Sequence, residues 1–175
     1  MAEPFNPDFA ATFRTLMIDV IAREAEVTAR VLAAVPDDKG SYRPAPKSRS
    51  AAELAWHIAA DVWFLDGIAL REFQANPDQA HQNPTHSSAE LAKWYLARVH
   101  GALDRIRALS AEQLVAPLTI GEVAAAQSGV AFPAFIYLLW GHNHTLHHRG
   151  QLAAYLRPMG AKVPGIYGSS GDESA

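Results

Sequence analysis

The chain has 175 residues, 49% of them apolar and 19% charged, with a formal net charge of −3 and no cysteine. That is the size of one domain with ample material for a core, and it argues against disorder. It excludes disulfides and cysteine-ligated metals, and the lack of a basic stripe interleaved with aromatic residues leaves nucleic acid out as a partner.

Four long helical patterns follow one another, separated by loops bearing Pro and Gly. The first runs from about Asp8 to Ala34, where Phe9, Phe13, Leu16, Met17, Val20, Ile21, Val27 and Val31 recur at spacings of three and four and predict one buried stripe. Pro36 and Gly40 end it, and Ser41 to Ser48, with Pro44 and Pro46, reads as extended loop. The second begins at a capping box, Ser50 with Glu53, and continues through Leu54, His57, Ile58, Val62, Phe64, Leu65, Ile68 and Leu70 to about Phe73. Asn76, Pro77 and Asp78 stop it, and a polar loop with His81, Pro84 and His86 follows.

The third helix is expected to start at a second capping box, Ser87 with Glu90, and to run through Leu91, Trp94, Tyr95, Leu96, Val99, Leu103 and Ile106 to about Leu109. Ser110 and Gln113 cap one further short turn. Pro117 to Gly129 is compatible with a loop, a short helix or a brief extended piece. The fourth helix is placed from about Pro133 to Arg157, since Pro suits a first helical turn, with Pro158 and Gly160 ending it. The chain after Pro164 is rich in Gly and Ser, and a flexible tail is expected over 166–175, beyond a domain spanning 1–165. No stretch reads convincingly as strand. Four amphipathic helices in one domain bury their stripes against one another, so the fold class is all-α, a four-helix bundle. Residues 1–8 lack a basic segment followed by an apolar one, and no apolar run approaches the roughly 20 residues of a membrane span. A cytoplasmic protein with no membrane partner is expected.

The fourth helix carries the most informative feature, His144-Thr145-Leu146-His147-His148-Arg149-Gly150-Gln151. Residues four apart on a helix are about 40° apart around the axis, so His144 and His148 aim two imidazoles at one point. Such a pair suits a transition metal. His57 lies in another apolar run and supplies a third imidazole; taken alone it would read as a core histidine. Three neutral imidazoles would leave an ion charged and open to further ligands.

His147 sits about 60° back from His144, as a neighbour behind the ligands or facing a groove, and His142 lies nearly opposite, facing surface or loop. His81, His86 and His100 read as solvent histidines. Gln151 falls in line with His144 two turns on, and Trp140 stands one turn before it. Asp61, four after His57, could orient an imidazole, ligate or serve as a base; the plainer reading, a solvated helix residue, is favoured. Asp61, His147 and Gln151 are therefore the candidates for supporting the ligands. Arg149 reads either as an anchor for an anionic substrate group or, more commonly, as half of a surface salt bridge. Other site types fall away. Thr145 stands where a zincin has Glu, Trp56 stands where a ferritin-like Glu-x-x-His would continue from Glu53, and neither a nucleophile elbow nor a phosphate loop occurs.

The string His144-Thr-Leu-His-His148-Arg-Gly-Gln151-Leu, with Gly160 and Pro164 after it, resembles the C-terminal motif of the DinB/YfiT-like superfamily, and Glu53-Leu-Ala-Trp-His57-Ile-Ala falls where that family has its first histidine. The resemblance spans essentially the whole chain. It implies an up-down-down-up bundle, often a homodimer, with His57, His144 and His148 as ligands of a divalent metal. Zinc or nickel leads, with iron, manganese or copper as alternatives. It further implies a metal-dependent enzyme, either a thiol S-transferase or a hydrolase, acting on a small-molecule substrate. With no cysteine in the chain, any thiol must come from a low-molecular-weight cosubstrate. The alternative from a different class is a non-catalytic metal-binding or stress-response protein whose metal is structural.

Overall fold

The computed structural model describes residues 5–73, 83–120 and 131–173. The expected stop at Asn76, Pro77 and Asp78, His81, the part of the uncertain stretch from 121 to 129 and the last two residues of the tail lie outside them.

Helix α1 spans Pro7–Ala33; the Asn6 side chain accepts from the Asp8 N–H and Pro7 occupies the first turn, where no N–H is needed. Its buried face is Ala10, Met17, Ile18, Ile21, Ala25, Thr28, Ala29, Val31 and Leu32, so Met17, Ile21 and Val31 are buried as expected. Phe9 and Leu16, which fit the stripe by spacing, are instead exposed, because the core centres on the side of α1 that carries Ile18, Ala25 and Leu32.

The second pattern is two helices, α2 (Ala51–Ala60) and α3 (Val62–Leu70). The Ser50–Glu53 capping box is present in both directions. The break falls at Asp61, where the hydrogen bonds tighten to three-residue spacing, from Asp61 N to Ile58 O and from Phe64 N to Asp61 O. Helix α3 stops three residues before the expected Phe73. Arg71 takes a left-handed conformation at φ 61°, and Glu72 N closes back on Gly67 O. Phe73 then folds over Gly67, where any Cβ would collide with its ring.

Helix α4 covers Ser88–Arg107. The expected Ser87 cap is not made by its side chain. Asp37, in a 3-10 turn after α1, accepts from Ser88 N at 2.8 Å instead, while Thr85 accepts from Ser87 N and donates to Glu90. The short helix α5 (Ala111–Val115) does carry its Ser110–Gln113 box. β1 (Pro117–Leu118), within the stretch left open to a brief extended piece, pairs antiparallel over two residues with β2 (Phe132–Pro133), where no strand was expected. Proline in each strand removes a donor and keeps the ladder that short. Because Pro133 is spent there, α6 starts later than expected, as Ile136–Leu156.

Specific contacts fix the topology. Arg14 reaches Leu109 O and Asp37 reaches Ser88 N, so α1 and α4 run antiparallel. Trp56 packs on Trp94, and Asp66 binds Arg98 and Arg105, so α2/α3 runs parallel to α4. His57 meets His148 while Phe73 meets Tyr137, so α6 runs antiparallel to α2/α3. Phe13 meets Phe135 and Glu24 meets Arg149, so α1 and α6 are parallel. The order is up-down-down-up, with α1 diagonal to α2/α3 and α4 diagonal to α6, while α2/α3 and α4 are neighbours. Within residues 166–173, Asp172 accepts from Val163 N and Arg157 Nε, and Glu173 from Gly165 N and Ser170 N. Among the described residues no helix is long and apolar enough to cross a membrane.

Candidate metal centre

The centre forms where α2/α3 lies against α6. Gly141 permits the approach: a Cβ there would sit 2.7 Å from Phe64 Cβ, so any larger residue would push the helices apart. One turn further along α6 His144 faces α2, and His148 follows four residues on, as the helical period requires. His57, 9% exposed, completes the triangle from α2. Ring centroids are 4.4 Å apart for His144 and His148, 4.6 Å for His57 and His148, and 5.2 Å for His57 and His144. One nitrogen of each imidazole lies within 4.8 Å of the other two.

The proton positions follow from the partners. His144 Nδ1 lies 2.9 and 3.0 Å from the two oxygens of Asp61, and a carboxylate only accepts, so the Nδ1 carries the proton. His148 Nδ1 donates to Gln151 Oε1 at 2.8 Å. Both Nε2 atoms then present lone pairs, and they stand 3.2 Å apart. Two nitrogens bound to one tetrahedral zinc at ordinary bond lengths stand about 3.3–3.4 Å apart. Lone pairs that close repel unless a cation lies between them, so the donor set fits a metal ion. Burial and the neighbouring imidazoles lower the pKa of His148 from 6.5, against the raising effect of Gln151, which favours the neutral, ligating form. The His144 side chain is 37% exposed, so the centre opens to solvent on that side.

Asp61 is the main correction at the site. It is buried, and its carboxylate is committed to His144 and to the Thr145 hydroxyl, which donates at 2.9 Å. The residue that breaks the second helix is therefore the one that orients a ligand on α6. Gln151 supports His148, not the His144 it lines up with in sequence. His147 is exposed, its ring 4.8 Å from that of His148, so it stands beside the centre at the surface. His86 and His100 are exposed, as expected.

His142 and Arg149 are also corrected. His142 is half-buried and lines a cavity of about 30 Å³ shared with Glu24, Thr28, Asp61 and Tyr95; burial lowers its pKa from 6.5. Arg149, only 2% exposed, pairs with Glu24 at 2.6 Å and donates to Thr28 and to the Tyr167 hydroxyl. It lies about 100° around the helix from His148, which aims it at α1 and away from the imidazoles. Glu24, Thr28 and Tyr95 went unnoticed in the sequence because they come from α1 and α4, with no spacing relation to the histidines. Burial pushes the Tyr95 phenol far above its ordinary pKa, so it stays protonated.

The DinB family model matches residues 9–175. The "Uncharacterized protein YjoA" of Bacillus subtilis (strain 168) is 31% identical over 135 residues, covering 77% of this chain and 82% of that protein. "Uncharacterized protein YrdA" of the same organism is 26% identical over 152 residues, covering 87% and 86%. Among solved structures, the DinB-like YjoA of Bacillus subtilis superposes with a TM-score of 0.68 at 24% identity, covering 87% of this chain and 99% of that one. A DinB-like protein from Bacillus cereus ATCC 10987 gives 0.67 at 24% identity, covering 86% and 95%. These structural likenesses speak to the fold.

Proposed function

The chain belongs to the DinB family, and from that premise we propose that it is a divalent-metal protein whose His57, His144 and His148 hold the ion for a reaction on a small molecule. The observation that carries this is the pair of Nε2 atoms 3.2 Å apart, each made an acceptor by the partner of its own Nδ1. A divalent ion held there lowers the pKa of a water or a thiol, the chemistry from which hydrolysis and S-transfer both start. Zinc or nickel suits three imidazoles, with iron, manganese or copper as the alternatives.

The chain's own residues hold the geometry. Asp61 keeps the Nδ1 proton on His144 and fixes that ring, Thr145 fixes Asp61, and Gln151 does for His148 what Asp61 does for His144. With its side chain only 2% exposed and its oxygens occupied, Asp61 acts as a positioning residue and not as a base toward substrate. The exposed flank of His144 favours a reactive centre over a metal that only staples two helices. Transfer of a small thiol to an electrophilic carbon is the favoured reaction and ester or amide hydrolysis the second. Without a cysteine the chain offers no thiol of its own. We further propose a homodimer, because Phe9 and Leu16 leave an apolar stripe exposed on α1.

Elemental analysis of protein purified without added metal or affinity tag is expected to show a divalent ion, lost in His57→Ala, His144→Ala and His148→Ala. Mass spectrometry of the metal-loaded protein with a small thiol and an electrophile is expected to show adduct above the metal-free control. Activity that survives loss of the metal would end the enzymatic reading.

A further inference from the structure

Helix α6 has an unusual surface. Its exposed positions are Leu139, Trp140, Asn143, His147, Gly150, Gln151 and Ala154, and Arg149, its one Lys, Arg, Asp or Glu, is buried. Helix α4, of similar length, exposes Glu90, Lys93, Asp104, Arg105 and Arg107. A surface helix ordinarily puts charge on its outer face, so the uncharged face of α6 needs a reason. The largest apolar group on it is Trp140, 42% exposed. An indole usually hides more of itself.

Trp140 is placed with respect to the metal centre. Trp140, His144 and His148 are spaced by four, so they share one stripe of the helix, with the Trp140 Cβ about 6 Å from that of His144. The indole is held by two other rings. Phe132, from β2, packs against it at 4.7 Å and an interplanar angle of 61°, and Tyr137 meets it edge-on at 5.4 Å and 89°. Phe64 closes the approach from α3, its ring 5.9 Å from that of His144. The neighbours of His144 are thus apolar and aromatic on two sides, and the polar groups Gln151 and His147 lie at the far end of the stripe.

We infer that the substrate of this centre carries a flat, uncharged apolar group, such as an aromatic ring, which lies against the Trp140 indole while its polar end reaches the three histidines. The inference rests on the metal reading above and adds the substrate class to it. An anionic or cationic group lying against the indole would lose hydration, and no charged side chain among the exposed positions of α6 replaces it there. An apolar ring would instead cover indole surface that is otherwise exposed to water and gain an offset or edge-on aromatic contact.

The test uses the full chain loaded with zinc and two metal-binding probes that share a headgroup, benzohydroxamate and acetohydroxamate. Isothermal titration calorimetry gives the ratio of their affinities for wild type, Trp140→Ala and Trp140→Phe. Comparing ratios between proteins cancels any intrinsic difference between the headgroups. The expected result is a phenyl-over-methyl ratio about tenfold larger in wild type than in Trp140→Ala, and largely kept in Trp140→Phe. Acetohydroxamate alone is expected to bind all three alike, which shows each variant folded and metal-loaded. The same ratio in wild type and Trp140→Ala overturns the inference and leaves the metal reading standing. A protein that takes up no zinc overturns both. A Trp140→Ala variant that changes mass in light scattering while the ratio stays fixed makes this face an interface between copies, which also overturns it.

Discussion

The orienting role of Asp61 is open to a sharp test through Asp61→Asn. The substitution keeps shape and volume and replaces an oxygen by an NH2 group. In the native arrangement one carboxylate accepts from both His144 Nδ1 and the Thr145 hydroxyl. The amide oxygen in the Oδ2 position can still accept from both, but the NH2 then stands where Oδ1 is, 2.9 Å from His144 Nδ1, donor against donor, and the negative charge beside the imidazole disappears. Loss of such an orienting partner lowers metal affinity by about 10- to 100-fold, or about 1.4–2.7 kcal/mol. Zinc competition against a chromophoric chelator reads this directly. Urea unfolding of the metal-free protein separates it from a general loss of stability, for which an unpaired buried donor accounts for about 1–3 kcal/mol. His57→Ala, His144→Ala and His148→Ala, which remove a ligand outright, are expected to fall further than Asp61→Asn. A variant that binds zinc as tightly as wild type would show that the carboxylate does not set the ligand, and the proton assignment at His144 would fall with it.

Other substitutions test other parts of the argument. Gly141→Ala brings a Cβ to 2.7 Å from Phe64 Cβ, and is expected to cost about 1–3 kcal/mol in urea unfolding through overpacking, with weaker zinc binding as α6 shifts; unchanged affinity would show that the close approach does not position His144. Arg149→Ala leaves the half-buried Glu24 carboxylate with the Tyr167 hydroxyl and water and is expected to destabilise by about 1–3 kcal/mol, and a loss below about 0.5 kcal/mol in the same unfolding assay would refute a stabilising role for the pair. Burial lowers the pKa of His142 and of His148 from 6.5, so the unfolded chain binds protons first on acidification. The metal-free protein should therefore lose stability as pH falls from about 6.5 through the folded-state values, and a His142→Gln variant with an unaltered slope of urea midpoint against pH would contradict this. Light scattering is expected to show a dimer that Leu16→Lys converts to a monomer; a wild-type monomer would remove the α1 interface.

The parts of the molecule that were legible in the sequence are those with short-range causes. Apolar spacing located the helical segments, because a helix repeats every 3.6 residues wherever it packs. The Ser50–Glu53 and Ser110–Gln113 boxes were legible because donor and acceptor are three residues apart. The convergence of His144 and His148 was legible for the same reason. Where a partner could come from any part of the chain, local reasoning went astray. The start of α4 is capped by Asp37 from beyond α1, although Ser87 stands at the offset of a local cap. Phe9 and Leu16 fit a helical stripe by spacing, yet the core lies around the neighbouring Met17 and Ile18, since periodicity defines a face without saying which neighbour covers it.

Sequence alone settled the helical class, the family motif and the three candidate ligands, all of which follow from residue type and offset along one chain. Tertiary structure decided that Asp61 reaches under His144 and that Arg149 turns inward to Glu24. It also decided that His142 faces a cavity and that the second helix breaks where its carboxylate meets α6. Each of these depends on which helix stands opposite, and that is set by how all the apolar faces pack together at once, a property no window of the sequence contains.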